Sequence, residues 1–122
     1  MFMYFNPNPM GRSVKDCAVR AIAGALNVSW EEAYDMLTDM GKKMGDMPDG
    51  DNVWGAVLRM NGFRRMTIPN TCPTCYTVAQ FAYDHQNGMY VLYLGGHVTL
   101  VYDGKIYDTW DTSNEIPTYV WY

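Results

Sequence analysis

Residues 97–110 read HVTLVYDGKIYDTW, with two runs rich in Val, Ile, Tyr and Thr on either side of Asp103-Gly104. β-Branched and aromatic residues favour strands, and an Asp-Gly pair between two such runs is a strong signal for a two-residue hairpin turn. We therefore predict that residues 97–102 and 105–110 form an antiparallel hairpin.

The turn also determines which residues of the hairpin face each other. With a two-residue turn, Thr99 lies opposite Asp108. By the same register, His97 lies opposite Trp110. Side chains alternate between the two faces of a strand, so His97 and Asp108 share one face and Asp111 falls on the other. Diagonal neighbours on one face have Cβ atoms roughly 7 Å apart or less, so the register predicts a hydrogen bond between Asp108 and His97.

The rest of the chain divides into helical patterns followed by strand patterns. Apolar residues recur at helical spacing before Gly88, and Ser29 with Glu32 and Thr77 with Gln80 have the spacing of capping boxes. After Gly88 the composition changes to strand-forming residues. The predicted helices cover 16–27, 30–41, 52–62 and 77–88, and the predicted strands cover 63–68, 89–94, 97–102, 105–110 and 116–121.

Glycine and polar residues mark the ends of the helices. We expect the second helix to end at Gly41, a loop over 42–51, and a cap on the third helix at Asn52. The helix over 16–27 is apolar nearly all round, which is typical of a buried helix. Helices followed by strands with short turns indicate an α+β domain, in which this central helix packs on a C-terminal antiparallel sheet.

Length and composition restrict the class of protein. The chain has 122 residues, a length that fits one domain over 1–122, and 48% of them are hydrophobic. Nine Lys and Arg against 13 Asp and Glu give a net charge of −4, which opposes binding to a phosphate backbone. No apolar run approaches the roughly 20 residues of a membrane span, and no leader opens the chain. We expect a cytoplasmic protein that binds neither nucleic acid nor membranes.

The cysteine pattern argues against a disulfide scaffold. The three cysteines, at positions 17, 72 and 75, are an odd number, and reduced thiols are the default in a cytosol. Cys72-Pro73-Thr74-Cys75 is half of a zinc motif with no second half in the sequence. We interpret it as a structural turn in preference to a metal or redox site.

Cys17 lies where a helix favours a nucleophile. Unpaired backbone N–H groups at a helix N-terminus favour the thiolate over the thiol. The alternative is that Cys17 is only a small residue on a buried helix. A thiol nucleophile needs a base, and the chain has two histidines. His85 falls in the last turn of a predicted helix, where it caps carbonyls, so His97 is the candidate base.

Cysteine at a helix start, histidine on a strand and a carboxylate on the next strand resemble the papain-like cysteine peptidases, especially the small members of bacteria and phages. The resemblance covers most of the chain. It implies that Cys17 is the nucleophile, His97 after Gly95-Gly96 the general base, and Asp108 the residue that orients the imidazole. Trp110, two residues after Asp108, matches the tryptophan that often shields this bond in the family. The implied activity is hydrolysis of a peptide or protein through a thioester, without a metal or cofactor.

The oxyanion donor departs from the family pattern. Papain-like enzymes usually have a glutamine six residues before the cysteine, and Gly11 occupies that position here. Asn8 is our candidate donor, because Pro7 and Pro9 on either side are expected to turn its amide toward the site, and Asn6 and Ser13 are weaker candidates. The alternative for Asn8 is ordinary turn chemistry. The backbone N–H of Cys17 would be the second donor.

Two other functions use the same residues. One is a binding or inhibitor module that has the papain-like fold but little or no turnover, as the missing glutamine suggests. The other is a thiol acyltransferase of the transglutaminase kind. Reaction with an electrophilic thiol probe separates the first from an enzyme, and competition between water and an amine separates hydrolysis from transfer.

Overall fold

The computed structural model describes residues 1–69 and 73–122. Contacts between Cα atoms group the chain into two compact units, which we call the helical unit (6–64) and the sheet unit (1–5 and 65–122). Over the described residues the chain forms four helices and six strands. The predicted α+β class is therefore confirmed, and no described helix has the length and apolarity needed to cross a bilayer.

The helical unit contains α1 (Cys17–Leu26), α2 (Trp30–Met44) and α3 (Asp51–Met60). Each of these helices contacts the other two. The bounds of α1 agree with the predicted helix to within one residue at each end. The apolar side chains of the unit that are buried are Ala18, Ala21, Ile22, Ala23, Ala33, Leu37, Val53, Trp54, Val57 and Leu58.

The capping box that begins α2 is present. The Ser29 hydroxyl accepts a hydrogen bond from the backbone N–H of Glu32 at 3.0 Å. The Glu32 carboxylate accepts one in return from the backbone N–H of Ser29. These two bonds satisfy N–H groups that the first turn of a helix leaves unpaired.

The predicted end of α2 at Gly41 is wrong. The helix continues to Met44, and Gly45 ends it in the left-handed conformation with φ of 65°. Gly41 is buried, and a Cβ atom built there lies 2.9 Å from the carbonyl oxygen of Asp46 and 3.2 Å from the nitrogen of Pro48. Glycine is required at position 41 because the following turn folds back against it.

The predicted cap of α3 at Asn52 is also wrong, because the N-cap lies two residues earlier, at Gly50. Gly50 is the N-cap, and its carbonyl accepts hydrogen bonds from the backbone of Val53 and Trp54 at 2.9 and 3.1 Å. Asp51 begins the helix, where a carboxylate complements the helix dipole. The predicted loop over 42–51 is correspondingly shorter.

The sheet unit contains a six-stranded sheet with strand order β1-β5-β4-β3-β6-β2. Adjacent strands are antiparallel, except that β1 runs parallel to β5, so the prediction of an antiparallel sheet is corrected to a mixed one. A strand of three residues at the start of the chain has too short a pattern to be recognised by alternation. The elements are β1 (Phe2–Tyr4), β2 (Arg65–Thr67), α4 (Val78–Asp84), β3 (Met89–Tyr93), β4 (Val98–Tyr102), β5 (Lys105–Asp108) and β6 (Tyr119–Trp121).

Helix α4 supplies one side of the core of the sheet unit. The Thr77 hydroxyl caps it by accepting from the backbone N–H of Gln80 at 3.2 Å. The helix ends at Asp84 and not at Gly88, and His85 Nδ1 lies 2.8 Å from the carbonyl oxygen of Phe81. This is the capping role predicted for that histidine. The buried core cluster consists of Val78, Phe81, Ala82, Leu92, Val101, Ile106 and Val120.

Replacing Gly41 with alanine tests the close approach at that position. Alanine has the higher helix propensity, but its Cβ must displace backbone atoms of the turn, so Gly41→Ala is expected to lower the free energy of unfolding by about 1–3 kcal/mol. Urea denaturation measures the change. Asp39→Ala, at an exposed site on the same helix, is the matched control and is expected to change stability by less than about 0.5 kcal/mol. A stabilised Gly41→Ala variant would contradict this account.

Candidate active site

A two-residue turn between β3 and β4 places His97. The backbone N–H of Leu94 donates to the carbonyl of His97 at 2.8 Å, and the two residues between them, Gly95 and Gly96, have φ of 75° and 89°. Positive φ at both central positions is the geometry that matches the twist of adjacent strands. The turn therefore holds His97 immediately before β4.

The turn between β4 and β5 has the predicted geometry. Asp103 and Gly104 have φ of 49° and 77°. Tyr102 pairs with Lys105, and the antiparallel register continues inward along both strands. Asp103 is held in place because its Oδ1 accepts from the backbone N–H of Gly88 at 2.8 Å. The register predicted from the sequence is confirmed.

This register brings Asp108 and His97 together. Asp108 Oδ2 lies 2.7 Å from His97 Nε2. The carboxylate is only 1% exposed, whereas the imidazole side chain is 20% exposed. Asp111 is exposed and accepts hydrogen bonds from the backbone and hydroxyl of Ser113. Asp108, rather than Asp111, is thus the carboxylate bonded to His97, as predicted.

Asp108 is held in its charged form. Burial opposes ionisation, but hydrogen bonds from His97 and Thr99, the nearby charge of His97, and the backbone N–H of Thr109 outweigh it and hold the pKa of Asp108 below its ordinary value. The Thr109 N–H donates to Oδ1 at 2.7 Å. An ionised carboxylate only accepts hydrogen bonds. The neutral imidazole of His97 therefore has its proton on Nε2, and Nδ1 is the nitrogen that takes up a proton.

Trp110 contacts the same imidazole. The ring centroids of His97 and Trp110 are 4.9 Å apart, with an angle of 44° between the ring planes. Strand β5 ends at Asp108, so Trp110 lies in a bend beyond the strand and not in the cross-strand pair that the register predicted. The predicted contact is present, but the bend produces it. The indole covers one side of His97 and remains partly exposed.

Cys17 is the first residue of α1, in the helical unit, and is partly exposed. The preceding residue, Asp16, occupies the N-cap position but its side chain does not cap the helix. Its carboxylate pairs with the guanidinium of Arg20 and accepts a hydrogen bond from Trp30 Nε1 at 2.9 Å. Asp16 and Arg20 are both buried. This cluster anchors the first turn of α1 next to Cys17.

The cluster at Asp16 was not predicted from the sequence. A pair of opposite charges four residues apart on an otherwise apolar helix was the available signal, since such a pair on a buried helix must be satisfied internally. Thr99 was placed opposite Asp108 by the register, but its role as a donor was not recognised. The signal available in the sequence was a hydroxyl group predicted to lie opposite a carboxylate.

Asn8 forms the turn that was the alternative interpretation. Its Oδ1 accepts from the backbone N–H of Met10 at 2.8 Å, and its carbonyl accepts from the N–H of Gly11 at 2.9 Å. The side-chain oxygen is therefore engaged in the turn. A role for the Asn8 amide as an oxyanion donor stays a prediction.

The predicted turn at Cys72 lies outside the described residues. Cys75 is exposed, and its sulfur lies 4.0 Å from the carbonyl oxygen of Pro73. Among residues 1–69 and 73–122, no group of three or more His, Cys, Asp and Glu side chains has the arrangement of a metal site.

The sheet unit thus brings together His97, Asp108, Thr99 and Trp110, while Cys17 belongs to the helical unit. Comparison of the chain with protein-family models, with curated proteins and with solved structures finds no match. Function is therefore inferred from the side chains and their geometry.

Removing one partner of the buried Asp16–Arg20 pair is expected to be costly. Asp16→Asn leaves a buried guanidinium without its carboxylate, so we expect a loss of about 3–5 kcal/mol in the free energy of unfolding. Trp30→Phe removes only the indole N–H and is expected to lose about 1 kcal/mol from the hydrogen bond. Urea denaturation measures both. If the double variant Asp16→Asn/Arg20→Met does not recover stability relative to Asp16→Asn, the cost is not due to the buried charge.

The low pKa of Asp108 predicts loss of stability in acid. Because the folded pKa lies below the unfolded value of about 3.9, the stabilisation is full above that value and is lost as pH falls through the folded pKa. Asp108→Asn is therefore expected to be less stable than wild type at pH 7, with a difference that narrows in acid. Denaturant titrations at pH 7 and pH 3 compare the two. Asp39→Asn, at an exposed carboxylate on α2, is the matched control, and an equal or larger effect there would contradict the assignment.

Proposed function

We propose that this chain is a thiol-dependent amide hydrolase of the papain-like type, in which Cys17 is the nucleophile, His97 the general base and Asp108 the orienting carboxylate. The observation that carries the proposal is the 2.7 Å hydrogen bond between His97, which solvent reaches, and Asp108, which is buried. Nucleophile, base and orienting carboxylate are the parts that this reaction class requires.

The hydrogen-bonded pair of His97 and Asp108 has the features of a proton-transfer site, and a purely structural role explains it less well. A buried carboxylate in a sheet core is costly unless it is fully hydrogen-bonded, and an apolar residue would fill the space without that requirement. His85 provides the contrast within the same chain. Its Nδ1 bonds to the Phe81 carbonyl and its ring stacks on Phe81 at 3.8 Å, which a helix cap explains completely.

In the proposed acylation step, the sulfur of Cys17 attacks the carbonyl carbon of the substrate amide and its thiol proton passes to Nδ1 of His97. Asp108 stabilises the imidazolium through Nε2. As the tetrahedral intermediate collapses, the carbon–nitrogen bond breaks and the imidazolium gives its proton to the leaving amine. The products of this step are a thioester on Cys17 and a free amine.

Deacylation reverses the direction of proton transfer. His97 removes a proton from water as the water oxygen attacks the thioester carbon, and the carbon–sulfur bond then breaks. The proton returns to the sulfur, so the acid product leaves and Cys17 and His97 regain their starting states. Trp110 supports both steps, because a ring against the imidazole limits water around its bond to Asp108 and strengthens that bond.

The position of Cys17 on α1 also supports the proposal. Backbone N–H groups at the start of a helix and the helix dipole favour the thiolate and the developing oxyanion. The Cys17 N–H is one proposed oxyanion donor and the Asn8 amide the other. The substrate class is a peptide or protein, since the thioester route acts on amides.

A binding module without turnover is the second candidate function. Two observations favour it: Gly11 occupies the position of the usual oxyanion glutamine, and Asn8 uses its side-chain oxygen in a turn. Such a module would retain the His97–Asp108 pair as a remnant of an enzyme site. An acyltransferase would use the same three residues with an amine in place of water.

Selective alkylation of Cys17 tests the proposal. Iodoacetamide at pH 7 is expected to modify Cys17 at least about tenfold faster than the exposed Cys75, because an activated thiol is more ionised at that pH. His97→Ala and Asp108→Ala are expected to remove this difference. Mass spectrometry of timed digests measures the rate at each cysteine, and release of amine from a peptide library measures hydrolysis.

Matched variants separate the outcomes. Cys17→Ala is expected to abolish hydrolysis, while Cys75→Ser and Asp111→Ala are expected to leave it near wild type. Fast alkylation of Cys17 without any hydrolysis or amine transfer would favour the binding module. Equal alkylation of Cys17 and Cys75 would overturn the nucleophile assignment.

A further inference from the structure

The side chain of Tyr93 contacts the turn that leads into His97. Tyr93 is the last residue of β3, and its hydroxyl oxygen lies 3.0 Å from the backbone nitrogen of Gly96. A backbone N–H only donates, so the Tyr93 oxygen is the acceptor of this hydrogen bond. Gly96 directly precedes His97. The hydrogen bond therefore acts on the backbone one residue before the imidazole.

Side-chain packing does not restrict the Gly95-Gly96 turn. Both glycines are exposed, and a Cβ atom built at either one meets no described atom within 4 Å. Glycine also has the widest choice of backbone angles. The hydrogen bond from the Leu94 N–H to the His97 carbonyl, at 2.8 Å, joins the two ends of the turn. The Tyr93 hydroxyl adds a restraint on its middle.

Three strands hold the Tyr93 side chain in place. The Tyr93 carbonyl accepts from the N–H of Thr118 at 2.9 Å. Its ring stacks on that of Tyr119, the register partner on β6, with centroids 4.8 Å apart and 20° between the planes. Arg65 on β2 lies diagonal to Tyr119, and its guanidinium carbon is 4.9 Å from the centroid of that ring. Stacked rings and a cation over a ring face are both favourable contacts.

We infer that Tyr93 is a positioning residue, whose hydroxyl holds the Gly95-Gly96 turn so that His97 stays aligned with Asp108. The significance of this alignment for catalysis rests on the proposed function. Proton transfer depends closely on geometry, and a displacement of about 1 Å lowers the rate of an enzyme by about 100-fold. Tyr93 acts through the backbone of the turn and leaves the proton transfer itself to His97.

The test measures exchange of protons with water by NMR in the intact, ¹⁵N-labelled chain. Tyr93→Phe removes the hydroxyl and keeps the stacked ring, so the Gly96 N–H is expected to exchange about fivefold faster. The proton on Nε2 of His97 is also expected to exchange faster, because its bond to Asp108 opens more often. Tyr102→Phe, at an exposed tyrosine at the far end of β4, is the matched control and is expected to leave both rates unchanged.

Two comparisons separate positioning from a general loss of stability. Amide exchange at the centre of β4 is expected to stay at the wild-type rate in Tyr93→Phe. Tyr119→Leu removes the stacked ring and leaves the Tyr93 hydroxyl, so it is expected to accelerate Gly96 exchange by a smaller factor. It is expected to add nothing in the Tyr93→Phe background, where the hydroxyl is already absent. If one variant fails to fold, the other supplies the same comparison of Gly96 with His97.

Three results would overturn the inference. They are an unchanged Gly96 rate in Tyr93→Phe, a faster Gly96 rate with an unchanged His97 Nε2 proton, and equal acceleration throughout β4. If the chain hydrolyses a peptide, Tyr93→Phe is expected to lower kcat with little change in KM.

The exchange rates require no turnover, so their result is distinct from that of the alkylation and hydrolysis experiments. Faster exchange at Gly96 and His97 in a chain that hydrolyses no amide would support the role of Tyr93 and count against the enzyme. Unchanged rates in an active hydrolase would do the reverse.

Discussion

The positive φ angles of Asp103 and Gly104 are the constraint on which the rest of the site depends. A turn of this kind admits one register between β4 and β5, and a slip of one residue would exchange the faces of every side chain on a strand. Asp108 would then lie on the face opposite His97. The Gly95-Gly96 turn acts in the same way on the other side of β4, so two short turns determine where the imidazole and its carboxylate meet.

In each unit a carboxylate is buried near a proposed reactive side chain, and burial of a carboxylate is costly unless it is hydrogen-bonded. In the sheet unit the Asp108 carboxylate is buried among apolar strands and receives several donors. In the helical unit the Asp16 carboxylate is buried beside Cys17 and receives the Arg20 guanidinium and the Trp30 indole N–H. Satisfied buried carboxylates have a restricted orientation, and a restricted orientation is what proton transfer and nucleophilic attack require.

The features that were predictable from sequence are those whose cause is local. The Ser29–Glu32 capping box and the two-residue turn at Asp103 each act over a few residues, and both are present. The His97–Asp108 bond was predictable because it follows from the turn alone. A local signal failed where packing against the turn after the helix decided the outcome, as at Gly41, which resembles a helix stop but accommodates the turn at 46–48.

Other parts of the site depend on residues that no local pattern connects. Trp30 donates to Asp16 across the junction of two helices, and Thr112 reaches Thr99 from beyond the hairpin. Neither separation corresponds to a helical or strand period, so the sequence contains no periodic signal for them. The catalytic assignment of Cys17 is of a different kind, because it concerns chemistry and is decided by reactivity.

The parallel pairing of β1 with β5 has a consequence for synthesis on the ribosome. Phe2 pairs with Ile106, so β1 is synthesised about 100 residues before its partner strand, and closing so long a loop is slow. All contacts within residues 6–64 become available before that partner exists. The hairpin that contains His97 and Asp108 also precedes the arrival of β6. Its two strands are therefore able to register with each other while the sheet is still incomplete on one side.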